Sequence, residues 1–81
     1  MKVLPDWNGK VAYSMHRMFM GKDQLAYAMG CSRQYVSRLM WTPNHGDRAK
    51  AKVESALESY AREMGIDFAE IWPPEERTRY P

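Results

Sequence analysis

Apolar residues recur at helical spacing along most of this chain, and no stretch alternates apolar and polar residues as a half-buried strand does. The pattern therefore predicts an all-α fold. Pro5 interrupts any helix in residues 1–7, which we expect to be a lead-in, and residues 73–81 begin with two prolines and should form a mobile tail. Residues 8–72 should form one compact domain with a central pair of short helices. Its predicted helices are residues 8–20, 22–29, 32–41, 47–64 and 67–72.

Residues that begin or end helices support these boundaries. Asn8 and Asp47 are the expected N-caps of the first and fourth helices, and Gly65 should end the fourth. Asp67, with Glu70 three residues later, resembles a capping box for the fifth. The positions that we expect to be buried are Val11, Met15, Met18 and Phe19 in the first helix, Leu25, Ala26 and Met29 in the second, and Val53, Ala56, Leu57, Tyr60, Ala61 and Met64 in the fourth.

The second and third predicted helices are joined by a short turn at residues 30–31. Gly30 suits the left-handed residue that follows a helix, and Ser32 suits the N-cap of the next one. At about 100° per residue, the third helix has two different faces. Tyr35, Val36, Leu39 and Met40 fall on one side, and an arc of about 140° on the other side carries Arg33, Gln34, Ser37, Arg38 and Trp41.

Two helices meeting through a short glycine-containing turn are typical of the helix-turn-helix, whose second helix enters the DNA major groove. At residues 24–41 the sequence resembles the Cro/C1-type repressor family of small phage-like regulators. This resemblance implies the lambda repressor-like fold. The residues that carry the resemblance are Leu25-Ala26, Met29-Gly30, Ser32, Val36 and Leu39.

The resemblance extends more weakly over residues 8–73. Ile71-Trp72-Pro73, following Gly65-Ile66-Asp67, is similar to the end of small Ner-type phage regulators. The chain departs from the Cro/C1-type pattern at Gly21, where a Thr or Ser commonly caps the second helix. It departs again at Lys22, where a Gln often contacts phosphate; a lysine would bind phosphate as a point charge.

The polar arc of the third helix supplies candidates for reading bases. Arginine pairs bidentately with guanine and glutamine with adenine, and the resemblance implies the same outward positions. The alternative is an ordinary solvated helix face. The candidate base-contacting residues are Arg33, Gln34, Ser37 and Arg38. Trp41 at the end of this arc should pack beneath the following loop or lie against the sugar-phosphate backbone.

Phosphate contacts are expected at the start of the second helix, at the margin of the third, and in the loop 42–46 with the helix that follows it. Such contacts supply much of the affinity of DNA-binding proteins and its salt dependence. Simple solubilising charge is the alternative at each position. The candidate phosphate-contacting residues are Lys22, Ser32, Tyr35, Asn44, His45, Arg48 and Lys50.

Charge is divided unevenly along the 81 residues, whose formal net charge is +2. Residues 1–53 hold nine Lys/Arg against three Asp/Glu, and residues 54–81 hold three against seven. This asymmetry favours one basic face for a polyanion and an acidic end kept away from it, unless the charges are scattered by chance. Cys31 cannot form an internal disulfide, and with His16 and His45 it lacks metal-ligand spacing. We expect no enzyme, metal site, cofactor or small-molecule ligand.

The sequence therefore predicts a DNA-binding transcriptional regulator, a repressor that binds a palindromic operator as a homodimer in the cytoplasm of a bacterial host. We expect no signal peptide and no membrane partner. Phe68, Ile71 and Trp72 are candidates for the dimer contact or for closing the monomer's own core. The alternatives are an antitoxin that represses its own operon, an excisionase-like architectural protein that bends DNA, and a protein-binding adaptor or antirepressor without DNA.

Overall fold

The described part of the protein consists of five α-helices followed by one 3-10 turn. The computed structural model describes residues 6–42 and 45–78, and no strand occurs within these residues. None of the helices there is long and apolar enough to cross a membrane. The helices are α1 (Asp6–Arg17), α2 (Lys22–Met29), α3 (Arg33–Trp41), α4 (Asp47–Met64) and α5 (Phe68–Ile71), and the 3-10 turn is Pro74–Glu76. The predicted all-α, five-helix fold is confirmed.

One apolar core holds the helices together. Each of the first four helices places at least one side chain completely out of solvent in it: Val11 in α1, Leu25 in α2, Val36 in α3, and Val53 and Leu57 in α4. α5 adds Phe68, and Trp72 closes the core immediately after it. The domain measures 31 × 30 × 27 Å along its principal axes. All four short helices are therefore positioned by packing, since isolated helices of this length are marginal in water.

The corner between α2 and α3 forms as the sequence predicts. Gly30 has φ 69° and ψ 34°, and its N–H and that of Cys31 donate back to the carbonyls of Tyr27 and Ala26. Ser32 is the N-cap of α3, and its hydroxyl oxygen accepts the N–H of Tyr35 at 3.1 Å. The predicted burial of the α2 stripe is also confirmed. Local signals alone thus define this corner.

α1 differs from the prediction at both ends. It begins at Asp6, so part of the expected lead-in is helical, and Asn8 lies inside the helix with only 3% of its surface exposed. It ends at Arg17, where the N–H groups of Phe19 and Met20 donate to the carbonyls of His16 and Met15. This is the same reversal as at Gly30, but its left-handed residue is Phe19, with φ 52°.

That reversal overturns the expected burial of Phe19. Because the chain turns back at this residue, Met20 enters the core and the Phe19 side chain is left 90% exposed. A non-glycine residue in the left-handed region carries a steric cost of roughly 1–2 kcal/mol. The sequence pattern, read as one helix through residue 20, placed the wrong side chain inside.

α4 has the predicted bounds but not the predicted cap. Gly46 is the N-cap and makes no side-chain hydrogen bond, while Asp47 is the first helical residue, where its carboxylate favours the helix dipole. Met64 was expected to be buried but is exposed, since it is the last residue before the left-handed Gly65. Glu54 is buried instead, although the pattern of apolar residues did not predict its burial.

Glu54 is buried because both of its carboxylate oxygens are bonded. The indole N–H of Trp7 donates to Oε2 and the backbone N–H of Thr78 donates to Oε1, each at 2.9 Å. One side chain of α4 thereby ties together the start of α1 and the C-terminal segment. A buried carboxylate is tolerated when its oxygens are hydrogen-bonded in this way.

The C-terminal segment through Thr78 is packed on the domain, contrary to the tail predicted from residue 73. Asp67 caps α5 by accepting the N–H of Ala69, and the chain then enters the 3-10 turn. Beyond the turn, Arg77 lies 2.8 Å from a carboxylate oxygen of Glu58 and donates through Nε to the carbonyl of Trp72 at 3.1 Å. Contacts with residues of other helices, among them Glu58 and Glu54, hold this segment, so no local sequence signal marks it.

Phe68 and Trp72 lie in the protein's own core, with 4% and 1% of their surface exposed. Their rings pack 6.2 Å apart, and Trp7 of α1 lies 6.4 Å from Trp72. Of the two roles that the sequence allowed, these residues close the monomer and are not available as a dimer contact. Ile71 is half-buried against the same core.

Candidate nucleic-acid interface

α3 presents one packed face and one polar face. Val36 and Leu39 are buried, and Met40 and Ser37 are half-buried at the margins. The remaining candidates for base contact, Arg33, Gln34 and Arg38, are exposed, as is Trp41 with 61% of its surface in solvent. More than half of the Trp41 surface is thus in solvent, and residues 43–44 of the loop that follows it lie outside the described residues. Tyr35 stands at the edge of this face, 44% exposed.

The C-terminal end of α3 is held by a side chain from α1. Nδ2 of Asn8 lies 3.1, 2.8 and 3.2 Å from the carbonyl oxygens of Leu39, Met40 and Thr42. The last carbonyls of a helix have no partners within it, and a buried carbonyl without a donor is costly. Asn8 supplies that donor and so sets the position of α3 relative to α1.

Two further side chains complete this end of α3. The Thr42 hydroxyl donates to the carbonyl of Arg38 at 2.6 Å, and Nε2 of His45 lies 2.7 Å from the carbonyl oxygen of Leu39. The His45 ring also packs edge-on against Trp7, with centroids 5.4 Å apart. His45 was a candidate for phosphate contact. Its position gives it a structural role at the C-terminus of α3 instead.

The N-terminal end of α3 is connected to α2 by an ion pair. Nε of Arg33 lies 3.4 Å from Oδ1 of Asp23, and the two side chains are 68% and 77% exposed. An exposed pair of this kind contributes at most about 1 kcal/mol. Arg33 can therefore leave Asp23 at little cost when a stronger anion is available.

The start of α2 lies next to this pair. Gly21 is the N-cap and offers no side chain, so Gln24 reaches back and accepts the N–H of Gly21 through Oε1. Lys22 is the first residue of α2, as the sequence predicts, and it is half-buried. The absence of a Ser or Thr cap at residue 21 therefore does not prevent α2 from beginning at Lys22.

The remaining phosphate candidates differ in their surroundings. Ser32 is engaged as the α3 cap through an acceptor lone pair, which leaves its hydroxyl hydrogen to donate. Arg48 is exposed in the first turn of α4, whereas the Nζ of Lys50 lies 5.8 Å from the centre of the Trp7 ring, toward α1. Asn44 lies outside the described residues. The structure thus groups Arg33, Gln34 and Arg38 on one helix face and separates Lys50 from them.

Sequence reasoning missed the two buried polar residues that hold this arrangement. Asn8 shares the helical stripe of Val11 and Met15, and Glu54 shares that of Leu57 and Ala61, so both occupy core positions. A polar residue on an apolar stripe is the signal that would have found them, because burial requires it to have a partner.

No group of three or more His, Cys, Asp or Glu residues within residues 6–42 and 45–78 is arranged to hold a metal ion. The chemistry available on the exposed face of α3 is hydrogen bonding by guanidinium and amide groups, together with the flat apolar surface of an indole. Comparisons with models of protein families, with curated proteins and with solved structures found no match to this chain.

Proposed function

We propose that this protein binds double-stranded DNA through the exposed face of α3 and acts as a small transcriptional regulator, a repressor on a palindromic operator. The observation that carries the proposal is the face itself: Arg33, Gln34 and Arg38 are exposed on a helix whose opposite side packs into the core through Val36 and Leu39. Guanidinium and amide groups are the side chains that pair bidentately with guanine and adenine in the major groove.

The rigidity of α3 supports this proposal. Ser32 caps its first turn, and Asn8, Thr42 and His45 hold its last carbonyls. Base readout requires side chains held in a fixed register, and a helix tied at both ends provides that register.

The charge distribution supports the same proposal. In the acidic C-terminal part, Glu54 is buried, Glu58 pairs with Arg77 and Glu76 pairs with Lys10. These carboxylates are thus engaged within the domain, away from the exposed arginines of α3. Lys22 and Arg48, at the starts of α2 and α4, are the remaining phosphate ligands that we propose.

Two copies on a palindrome, with half-sites about 34 Å apart, would extend the short site that one helix can read. Selection of binding sites from random double-stranded DNA tests this directly. A palindrome supports the repressor proposal, whereas directly repeated sites would indicate an architectural protein. Recovery of no preferred sequence, with binding no stronger than to bulk DNA, would contradict sequence-specific binding and leave the protein-binding adaptor or antirepressor.

Matched variants separate base contact from phosphate contact on the selected site. Gln34→Ala and Arg38→Ala should each relax base preference by about 1–3 kcal/mol per contacted pair. Lys22→Ala should weaken binding evenly and lower the slope of log K against log salt by about one. Arg62→Ala is the control, because it removes the same charge from an exposed arginine near the end of α4. Equal affinities of all four variants and the wild type at matched salt would refute the assignment.

A further inference from the structure

Three helices of this domain end in the same reversal, and one of them does so with an unsuitable residue. The left-handed position is Gly30 after α2 and Gly65 after α4, with φ 69° and 73°, but it is Phe19 after α1, with φ 52°. This backbone conformation penalises any Cβ. The Phe19 ring is also 90% exposed. The chain therefore keeps a strained, solvated phenylalanine at a position where glycine would serve the monomer better.

An open groove lies along α2 and α4, close in the chain to Phe19. Its volume is about 380 Å³, its apolar walls are Tyr27, Ala28 and Tyr60, and the carboxylates of Asp23 and Glu63 lie in its lining. Tyr27, like Phe19, is 90% exposed. α2 begins three residues after Phe19, and its residues Asp23, Gln24, Tyr27 and Ala28 line one side of the groove.

The two features are complementary in charge and are both aromatic. Phe19 is an apolar ring that follows the cation Arg17 by two residues, and the groove is an aromatic cleft with two carboxylates. A surface that carries both parts can pair with a second copy of itself across a twofold axis, each part meeting the other reciprocally. Aromatic residues entering apolar pockets dominate the energetics of such contacts.

We propose that two copies of this chain associate with Phe19 of each protomer seated in the α2–α4 groove of its partner. The inference rests on the proposed function and adds a dimer surface to it. Phe68 and Trp72 cannot form that surface, because they are buried in the core. The occupant of the groove is a second copy of the chain. The association itself requires no DNA.

Sedimentation equilibrium of the full chain without DNA tests the proposal. The wild type should dimerise as its concentration rises, and Phe19→Gly and Tyr27→Ser should each weaken the dimer by at least about tenfold. Phe19→Gly should melt no lower than the wild type at dilute concentration, since it relieves the left-handed strain and removes a side chain that is solvated in the monomer. Tyr35→Ser, which removes an exposed aromatic ring from α3, is the control and should dimerise as the wild type does.

Mixing the two weakened variants tests the reciprocal arrangement. Phe19→Gly keeps an intact groove and Tyr27→Ser keeps an intact Phe19, so their mixture should form a heterodimer tighter than either variant alone. If the wild type stays monomeric up to a concentration on the order of 0.5 mM, its self-affinity is too weak for a specific dimer, and the proposal is overturned. Undiminished association of Phe19→Gly, or a mixture that associates no better than its components, would also overturn it.

Failure of the proposed DNA binding gives a different result. Phe19→Gly should bind a single half-site as well as the wild type does and lose affinity only on the paired site. If no DNA is bound by either protein, dimerisation in its absence still supports the Phe19 contact. If half-sites are bound and no dimer forms, the contact is refuted and the DNA proposal stands.

Discussion

Asn8 offers the most discriminating test of how this domain holds α3. It is the third residue of α1, a position where an acidic residue is normally favourable because of the helix dipole. Its Nδ2, however, points at three carbonyl oxygens at the end of α3. Asn8→Asp keeps the shape of the side chain and removes its donor. A carboxylate at residue 8 would be favourable for the helix dipole, whereas the loss of the Nδ2 donor would destabilise the end of α3. The stability of Asn8→Asp therefore shows which effect is larger.

The size of the effect follows from the donor inventory. Nδ2 carries two hydrogens, so its three close oxygens share two strong bonds, each contributing about 1 kcal/mol net. Asn8→Ala removes both bonds and leaves the Met40 carbonyl without its donor, which adds about 1 kcal/mol. Leu39 keeps a partner in His45. We therefore expect Asn8→Ala to lower the free energy of unfolding by about 2–3 kcal/mol, or Tm by roughly 10–20 °C for a domain of this size.

Asn8→Asp should be more destabilising than Asn8→Ala, because it places a carboxylate against carbonyl oxygens in a site that is 3% exposed. Urea unfolding followed by circular dichroism at 222 nm measures both variants. Gly9→Ala is the control: a Cβ at residue 9 meets nothing within 4 Å, so this change should stabilise α1 by up to about 1 kcal/mol. If Asn8→Asp is as stable as the wild type, or Asn8→Ala loses less than about 0.5 kcal/mol, Asn8 does not hold α3.

Two further predictions concern the start of α2 and its ion pair. Gly21→Ser should raise the free energy of unfolding by about 0.5 kcal/mol, because the N-cap already has an extended backbone and its new hydroxyl can accept the N–H of Gln24. The added Cβ would lie 3.3 Å from Oε1 of Gln24, the end of a flexible side chain, and a fall in Tm would show that this side chain cannot move. Asp23→Asn should tighten binding to a single DNA half-site roughly two- to fivefold at low salt by freeing Arg33 and removing a repulsive charge, an effect that salt screens. Anisotropy titrations at two salt concentrations measure this change, and equal affinities at low salt would contradict it.

The sequence determined the α2–α3 corner and the length of α4 because their signals are local. Gly30 tolerates the left-handed backbone, Ser32 caps the next helix with its own hydroxyl, and Gly65 ends α4. The exposed face of α3 followed from the same logic, since Val36 and Leu39 define which side is buried and therefore which side is not. These features depend on residues a few positions apart in the chain.

The tertiary structure alone decided where α1 begins and ends, whether the C-terminal segment packs on the domain, and how α3 is positioned. Phe19 adopts a glycine-like backbone because the reversal brings Met20 into the core, which helical periodicity does not encode. Asn8 and Glu54 are buried because their partners, the end of α3 and the segment around Thr78, come from 24 or more residues away. Polar groups can be buried only where the fold brings them a partner, so their roles are settled by packing and not by sequence pattern.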